Sequence, residues 1–173
     1  MSSQSQIEQY PITLNECKQS SEFKLFRDTI NTHHSYVKYK DSPTRRLSFL
    51  VHETISGNFI GCVGLTSGTL ALKCREDYIG WNNDTKMRHL HQIANNSRFC
   101  LIKDNITVAN AASMTLKMLR TVGVNAWKIK YNDDLIILET FILPTRQNQY
   151  MGAKNRNGAC YSCLLYTSPS PRD

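Results

Sequence analysis

Two charged side chains sit in settings where charge has to be accounted for. Glu139 is the single charge within the apolar run Leu135–Ile142, LIILETFI. A carboxylate in a buried strand must be paired, hydrogen-bonded or protonated, and a raised pKa would suit it to act as a general base. The structural alternative is an ion pair with Arg98 or Arg146. Arg98 follows Asn95 and Asn96 in the segment NNSRF. Its guanidinium fork suits a phosphate or carboxylate, with Asn96 beside it to help position such a group. Equally, Arg98 can hold a sheet edge through Asp77 or Glu139. Trp81 and Phe99 offer ring faces for a base or act as lids on the core, and with Asp77 and Asn95 they complete a candidate pocket.

A second cluster is basic. Lys38, Lys40, Arg45 and Arg46 place four cations within nine residues, with Tyr36 and Tyr39 among them. Cations neutralise phosphates and aromatic faces stack bases. The segment is therefore either a nucleic-acid contact or a solvated charged loop. The adjoining His33-His34 lacks an Asp or Cys partner at metal or catalytic spacing and reads as surface histidines or a helix cap. Cys17, Cys62, Cys74 and Cys100 are scattered through apolar strings such as IGCVGL and RFCLI. That dispersal fits small buried hydrophobes with reduced thiols rather than a zinc site, so no metal is expected.

The elements that must carry these residues alternate. Asn15–Asn31 reads as a helix, with Asn15 as its cap and Phe23, Phe26 and Ile30 on one face. Leu47–Thr54 alternates as a half-buried strand, Ser56-Gly57-Asn58 turns, and Phe59–Leu65 returns as the second strand of a hairpin. Asn82-Asn83-Asp84 starts a short helix over Lys86–Ala94, with Met87 and Leu90 inward and Asn95-Asn96 ending it. Ser97–Ile102 is a strand. A longer helix runs from Asn105 to Val122 and stops at Gly123. Trp127–Tyr131 forms a further helical turn, and Leu135–Ile142 is a strand buried on both faces. The alternation predicts an α/β domain.

Composition bounds the rest. The chain has 173 residues, 40% of them hydrophobic and 20% charged, a net charge of +7 and a pI of about 9.2. That is a globular, basic composition sized for one domain. No apolar run nears the roughly 20 residues of a membrane helix, and the polar N-terminus has no leader-like core. The expectation is a cytoplasmic protein with no membrane partner. Residues 1–14 read as a flexible N-terminus and 15–162 as the domain. Cys163–Asp173, CLLYTSPSPRD, breaks every earlier pattern and reads as the translation of a transposase-type sequencing adapter. On that reading the true chain is cut short, and the apolar strand Leu135–Ile142 loses a sheet neighbour.

Several strings, taken in order, resemble one family: RLSFLVHETISGNFIGCVGL, REDYIGW, IANNSRFCLI, NAASMTLKMLR, LETFI and NGACY. They are similar to the family of the Druantia anti-phage protein DruA and its phage and mobile-element relatives, over roughly Phe23 to Ser162. That family resembles GNAT-like acyltransferase folds, including Mom-type adenine-modifying proteins. The resemblance implies a GNAT-like mixed central sheet flanked by helices. It aligns Ile79, Gly80 and Trp81, then Asn95, Asn96, Arg98 and Phe99, then Leu138–Phe141, and finally Gly158 and Tyr161. Tyr161 falls where enzymes of that fold often keep an acid-like tyrosine. Their glycine-rich loop before the central helix, which binds the pyrophosphate of acyl-CoA, is replaced here by Lys103-Asp104-Asn105-Ile106-Thr107-Val108, so the cofactor is left unassigned. Two functions follow from the resemblance. One is group transfer to an amine on DNA, with Arg98 and Asn96 positioning the donor and Glu139 taking the proton. The other is a non-catalytic nucleic-acid-binding or accessory module, with protein partners from a defence or transposition system. The first requires Asn96, Arg98 and Glu139 to share one crevice.

Overall fold

The computed structural model describes residues 10–34, 38–142, 153–154, 160–163 and 166–167. Strand β1 (Ile12–Glu16) precedes helix α1 (Ser20–His33), and β2 (Arg46–Glu53) and β3 (Phe59–Ser67) form a hairpin. Helices α2 (Lys73–Ile79) and α3 (Asn83–His89) lead into β4 (Ile93–Leu101). Helix α4 (Ala111–Met118) continues through a π turn at Leu119–Gly123 into α5 (Val124–Tyr131), and β5 (Ile137–Ile142) follows. The strands lie in the order β1-β2-β3-β4-β5; the first three pairings are antiparallel and β4–β5 is parallel. A mixed sheet flanked by helices is thus the α/β architecture expected.

Helices cover both faces of the sheet, and this explains the burial of β2. Leu47, Phe49 and Val51 join the larger core with Leu65, Leu119 and Trp127 under α4 and α5. Leu50 joins Phe26, Ile30, Cys17, Cys62 and Cys100 under α1. The half-buried strand expected at 47–54 is therefore buried on both sides. The three thiols are buried and free, and burial pushes Cys17 up to about 12.

Other boundaries differ from expectation for local reasons. Asn15 does not cap a helix; it lies in β1 opposite Leu50, so residues 12–14 are already strand. Helix α1 begins at a capping box in which Glu22 Oε2 accepts from the backbone N–H of Gln19 at 2.8 Å and of Lys18 at 2.7 Å. The helix placed over Lys86–Ala94 gives way after His89 to a 3-10 turn, Leu90–Gln92, and Met87 is exposed. Asn95 and Asn96 belong to β4, because their segment pairs with β5. Gly123 does not end its helix: its φ of −65° and ψ of −43° are helical. A Cβ there would stand 2.8 Å from Leu119 Cδ1 and 3.4 Å from Leu65 Cδ1, so the missing side chain lets the π turn lie close to β3.

Short strands β6 (Ala153–Lys154), β7 (Cys160–Cys163) and β8 (Tyr166–Thr167) add to the β5 side of the sheet. β7 and β8 pair antiparallel with β5, as Phe141 with Cys163 and Ile137 with Thr167. These pairings take in part of the segment 163–173 set aside above; residues 168–173 lie outside the described residues. Among the described residues no helix is long and apolar enough to cross a membrane.

Candidate anion-binding site

Side-chain direction in β4 is decided by one irregularity. Gly64 of β3 pairs with Arg98 and Leu65 pairs with Asn96, which leaves Ser97 as a bulge. In a regular strand residues two apart share a face; the bulge cancels that and puts Asn96 and Arg98 on opposite faces. Asn96, opposite Leu65, faces the α4–α5 side with Ala94 and Phe99. Arg98, opposite Gly64, faces α1, where a Cβ on Gly64 would meet Phe26 Cζ at 3.1 Å and Arg98 Cβ at 3.4 Å.

Glu139 aligns with Asn95, and its neighbour Leu138 belongs to the α4–α5 core. The carboxylate therefore lies on the same side as Arg98, about 7–10 Å further along the sheet. Its partner is neither Arg98 nor Arg146 but Arg75 of α2. Arg75 Nη1 donates to both Glu139 oxygens at 3.1 Å, and both side chains are wholly shielded from solvent. Arg75 Nη2 donates to Thr69 O at 2.6 Å, and Thr69 N–H donates back to Glu139 Oε1 at 3.3 Å. Glu76 extends the cluster to Lys86 of α3 at 3.2 Å. Burial pushes the Glu139 carboxyl above its ordinary range, and Arg75 pulls it part of the way back. The pair ties α2 and α3 to β5. The crevice expected for Asn96, Arg98 and Glu139 does not form, because Asn96 is on the other face and Glu139 is engaged by α2.

What does form around Arg98 is a cavity of about 190 Å³ on the α1 face. Its floor is Ser48 of β2, Gly64 and Thr66 of β3, and Ser97 and Arg98 of β4; Phe26 walls one side, and Tyr39, Lys40, Ser42 and Arg46 form the rim. Arg98 Nη1 donates to the Ser97 carbonyl at 2.7 Å, while its buried Nε has no hydrogen-bond partner among the described residues. Tyr39 sits edge-on to Phe26, ring centroids 6.0 Å apart, and donates its hydroxyl to Asp41 at 2.8 Å. Arg46 pairs with the same carboxylate. The Tyr39 hydroxyl, then the charges of Arg46 and Arg27, hold Asp41 below its ordinary range.

The basic segment divides. Lys40 and Arg46 turn to the cavity with Tyr39. Arg45 turns away, pairs with Asp133 and lies 5.3 Å over the Tyr131 ring. Lys38 donates to the Asn31 carbonyl at 3.2 Å, and Tyr36 lies outside the described residues. Asp77 pairs with Lys73 on the exposed side of α2 rather than with Arg98. Trp81 lies beside His89, ring centroids 6.1 Å apart, away from the cavity. Asn95 and Asn96 are buried, and neither Oδ1 has a partner among the described residues. Tyr161 pairs through its backbone with Ala153, and its side chain lies outside the described residues, as Arg146 does. Among the described residues no three metal-ligating side chains gather.

Sequence reasoning missed Arg75, although it opens the string REDYIGW in which Ile79–Trp81 had been marked. It also missed the hydroxyl floor, since Ser48, Thr66 and Ser97 come from three strands and carry no local signal.

The fold and this cavity define a basic α/β protein with a mixed sheet and a cation-lined pocket on one face. Residues 1–167 match the family of Druantia protein DruA. The chain belongs to that family, and membership suggests a phage-defence context. Neither the curated proteins nor the solved structures gave a match.

Proposed function

We propose that the protein works in phage defence by binding nucleic acid, with the phosphate backbone held against the α1 face of the sheet. The observation that carries this reading is the convergence of Lys40, Arg46 and Arg98 on one cavity floored by hydroxyls. Cations supply most of the affinity for a polyanion, hydroxyls donate to phosphate oxygens, and Tyr39 at the rim offers a ring to a base. A transferase reading would draw on Glu139 as a base, yet that carboxylate is shielded from solvent and held by Arg75. The structural role of Glu139 favours the binding module over the enzyme.

The test is a salt titration of DNA binding by the full chain. Log affinity against log salt concentration should fall with a clear negative slope, and Arg98→Ala should flatten it by about one. A slope near zero would remove the cavity from the function. DNA incubated with protein and acyl-CoA should yield nucleosides of unchanged mass; a mass increase would restore the transferase.

A further inference from the structure

The cavity is small, closed at its base and overcharged for the ligand just described. Its volume of about 190 Å³ holds about six waters at roughly 30 Å³ each. It falls below the ~300 Å³ at which pockets for whole small-molecule ligands begin. A phosphate group with part of its sugar takes up most of that space, which leaves the base at the mouth. The floor is the β2–β3–β4 sheet, bulged at Ser97, with Gly64 paired to Ser48 on one side and Arg98 on the other. The wall is Phe26 of α1, which the absence of a Gly64 side chain allows to approach. A group enters from the rim, so the terminus of a strand reaches the floor, whereas a phosphodiester in mid-strand meets the rim with chain leaving on both sides.

Charge points the same way. The lining contains Lys40, Arg46 and Arg98 and, among the described residues, no carboxylate. Asp41 draws on Arg46, so three cations less one carboxylate leave two positive charges. An internal phosphodiester carries one negative charge, whereas a phosphate monoester carries about −1.5 to −2 near neutral pH. Arg98 also keeps its buried Nε free of any protein acceptor among the described residues, which leaves a donor for an oxygen at the floor.

We propose that the cavity is an end-recognition site: it takes the terminal phosphate monoester of a nucleic-acid strand, with the sugar in the mouth and the first base outside, against Tyr39. This rests on the nucleic-acid reading above and adds the end of the strand as the feature recognised.

Fluorescence anisotropy with the full chain tests it, using one short single-stranded oligonucleotide with a 5′-phosphate, a 3′-phosphate or hydroxyls at both ends. One phosphorylated form should bind about tenfold or more tighter than the hydroxyl form, the size of a charge-assisted hydrogen-bond set. Arg98→Lys and Lys40→Ala, checked by melting to be folded, should erase that preference. Equal binding of all three forms, still weakened by Arg98→Ala, would overturn end recognition and leave backbone binding standing. Loss of binding to every form would overturn both. If a free deoxynucleoside 5′-monophosphate competes as well as the strand does, the strand-end assignment fails and the ligand is a free nucleotide.

Discussion

Arg75 and Glu139 meet guanidinium to carboxylate at 3.1 Å with neither side chain exposed to solvent. A buried pair of this kind is costly to assemble and costlier to break, because a lone partner is left as an uncompensated charge in a poor dielectric. Glu139→Ala should therefore cost about 3–5 kcal/mol, a fall in Tm on the order of 10 °C for a chain of this size. The double variant Arg75→Met/Glu139→Leu should recover most of that loss, since it removes both charges together. Thermal melting of the three proteins checks this. If Glu139→Gln melted like the wild type while abolishing a DNA-modifying activity, the carboxylate would belong to catalysis instead.

Gly61 is a second point of inflexibility. Its φ of +152° lies where side chains are rarely accommodated, and a Cβ there would stand 2.2 Å from the Cys100 carbonyl oxygen and 2.8 Å from Leu101 Cα. Both neighbours are backbone of β4, so nothing flexible can yield. Gly61→Ala should destabilise by about 3 kcal/mol or more through strain and overpacking combined. Denaturant unfolding measures it; a cost under about 1 kcal/mol would mean that the β3–β4 ladder adjusts more freely than its register suggests.

How far the chain could be read in advance depends on whether a signal is local. The β2–β3 hairpin is carried by Ser56-Gly57-Asn58 and apolar alternation, the start of α3 by Asn82, and the strand character of LIILETFI by its composition; each lies in a few adjacent residues. The Ser97 bulge has no such signature. It arises from the pairing of β4 with β3, and its effect is to reverse the side of the sheet on which Asn95 and Asn96 lie. Counting alternate residues puts Asn96 beside Arg98, and the three-dimensional register puts them apart. The role of Gly123 was misread for the same reason: helix-ending glycine is a local rule, and the close approach of Leu119 and Leu65 overrides it. Of the candidate site, Lys40, Arg46, Tyr39 and Arg98 were visible as residues. Their meeting place was not, since it depends on where α1 and the sheet bring the segment 38–46.

Acid sensitivity should concentrate at Glu53. Its carboxylate accepts from Thr107 N–H at 2.7 Å, from the Thr107 hydroxyl at 2.8 and 2.9 Å, and from Ser56 at 2.7 Å. These donors, the Thr107 backbone first, hold its pKa below the ordinary 4.5. In the window between that value and the lower folded one, the unfolded chain binds the extra proton. The stability Glu53 contributes is therefore present above about pH 4.5 and lost as pH falls through the folded value. Urea midpoints taken downward from about pH 6 should drop steeply for the wild type and less steeply for Glu53→Gln. Parallel curves would assign the acid loss to other carboxylates.

Arg45 and Arg46 are neighbours in sequence and separate in role, and that contrast gives a sharp test of the binding surface. Arg46 rims the cavity with Lys40 above Arg98. Arg45 is occupied by Asp133 and the Tyr131 ring on the far side of β2. Each arginine has a carboxylate partner, Asp133 for Arg45 and Asp41 for Arg46, so position separates them. A cation held away from the polyanion releases little salt when DNA arrives, whereas one facing it displaces about one counterion. Arg46→Ala and Arg98→Ala should each flatten the log–log salt slope of DNA binding by about one, and Arg45→Ala should leave it within error of the wild type. Arg45→Ala should instead lower Tm slightly through loss of its ion pair and ring contact, by about 1 kcal/mol or less. If Arg45→Ala flattened the slope as much as Arg46→Ala does, DNA would be lying along the whole basic segment, and the cavity would lose its claim to be where the phosphate is held.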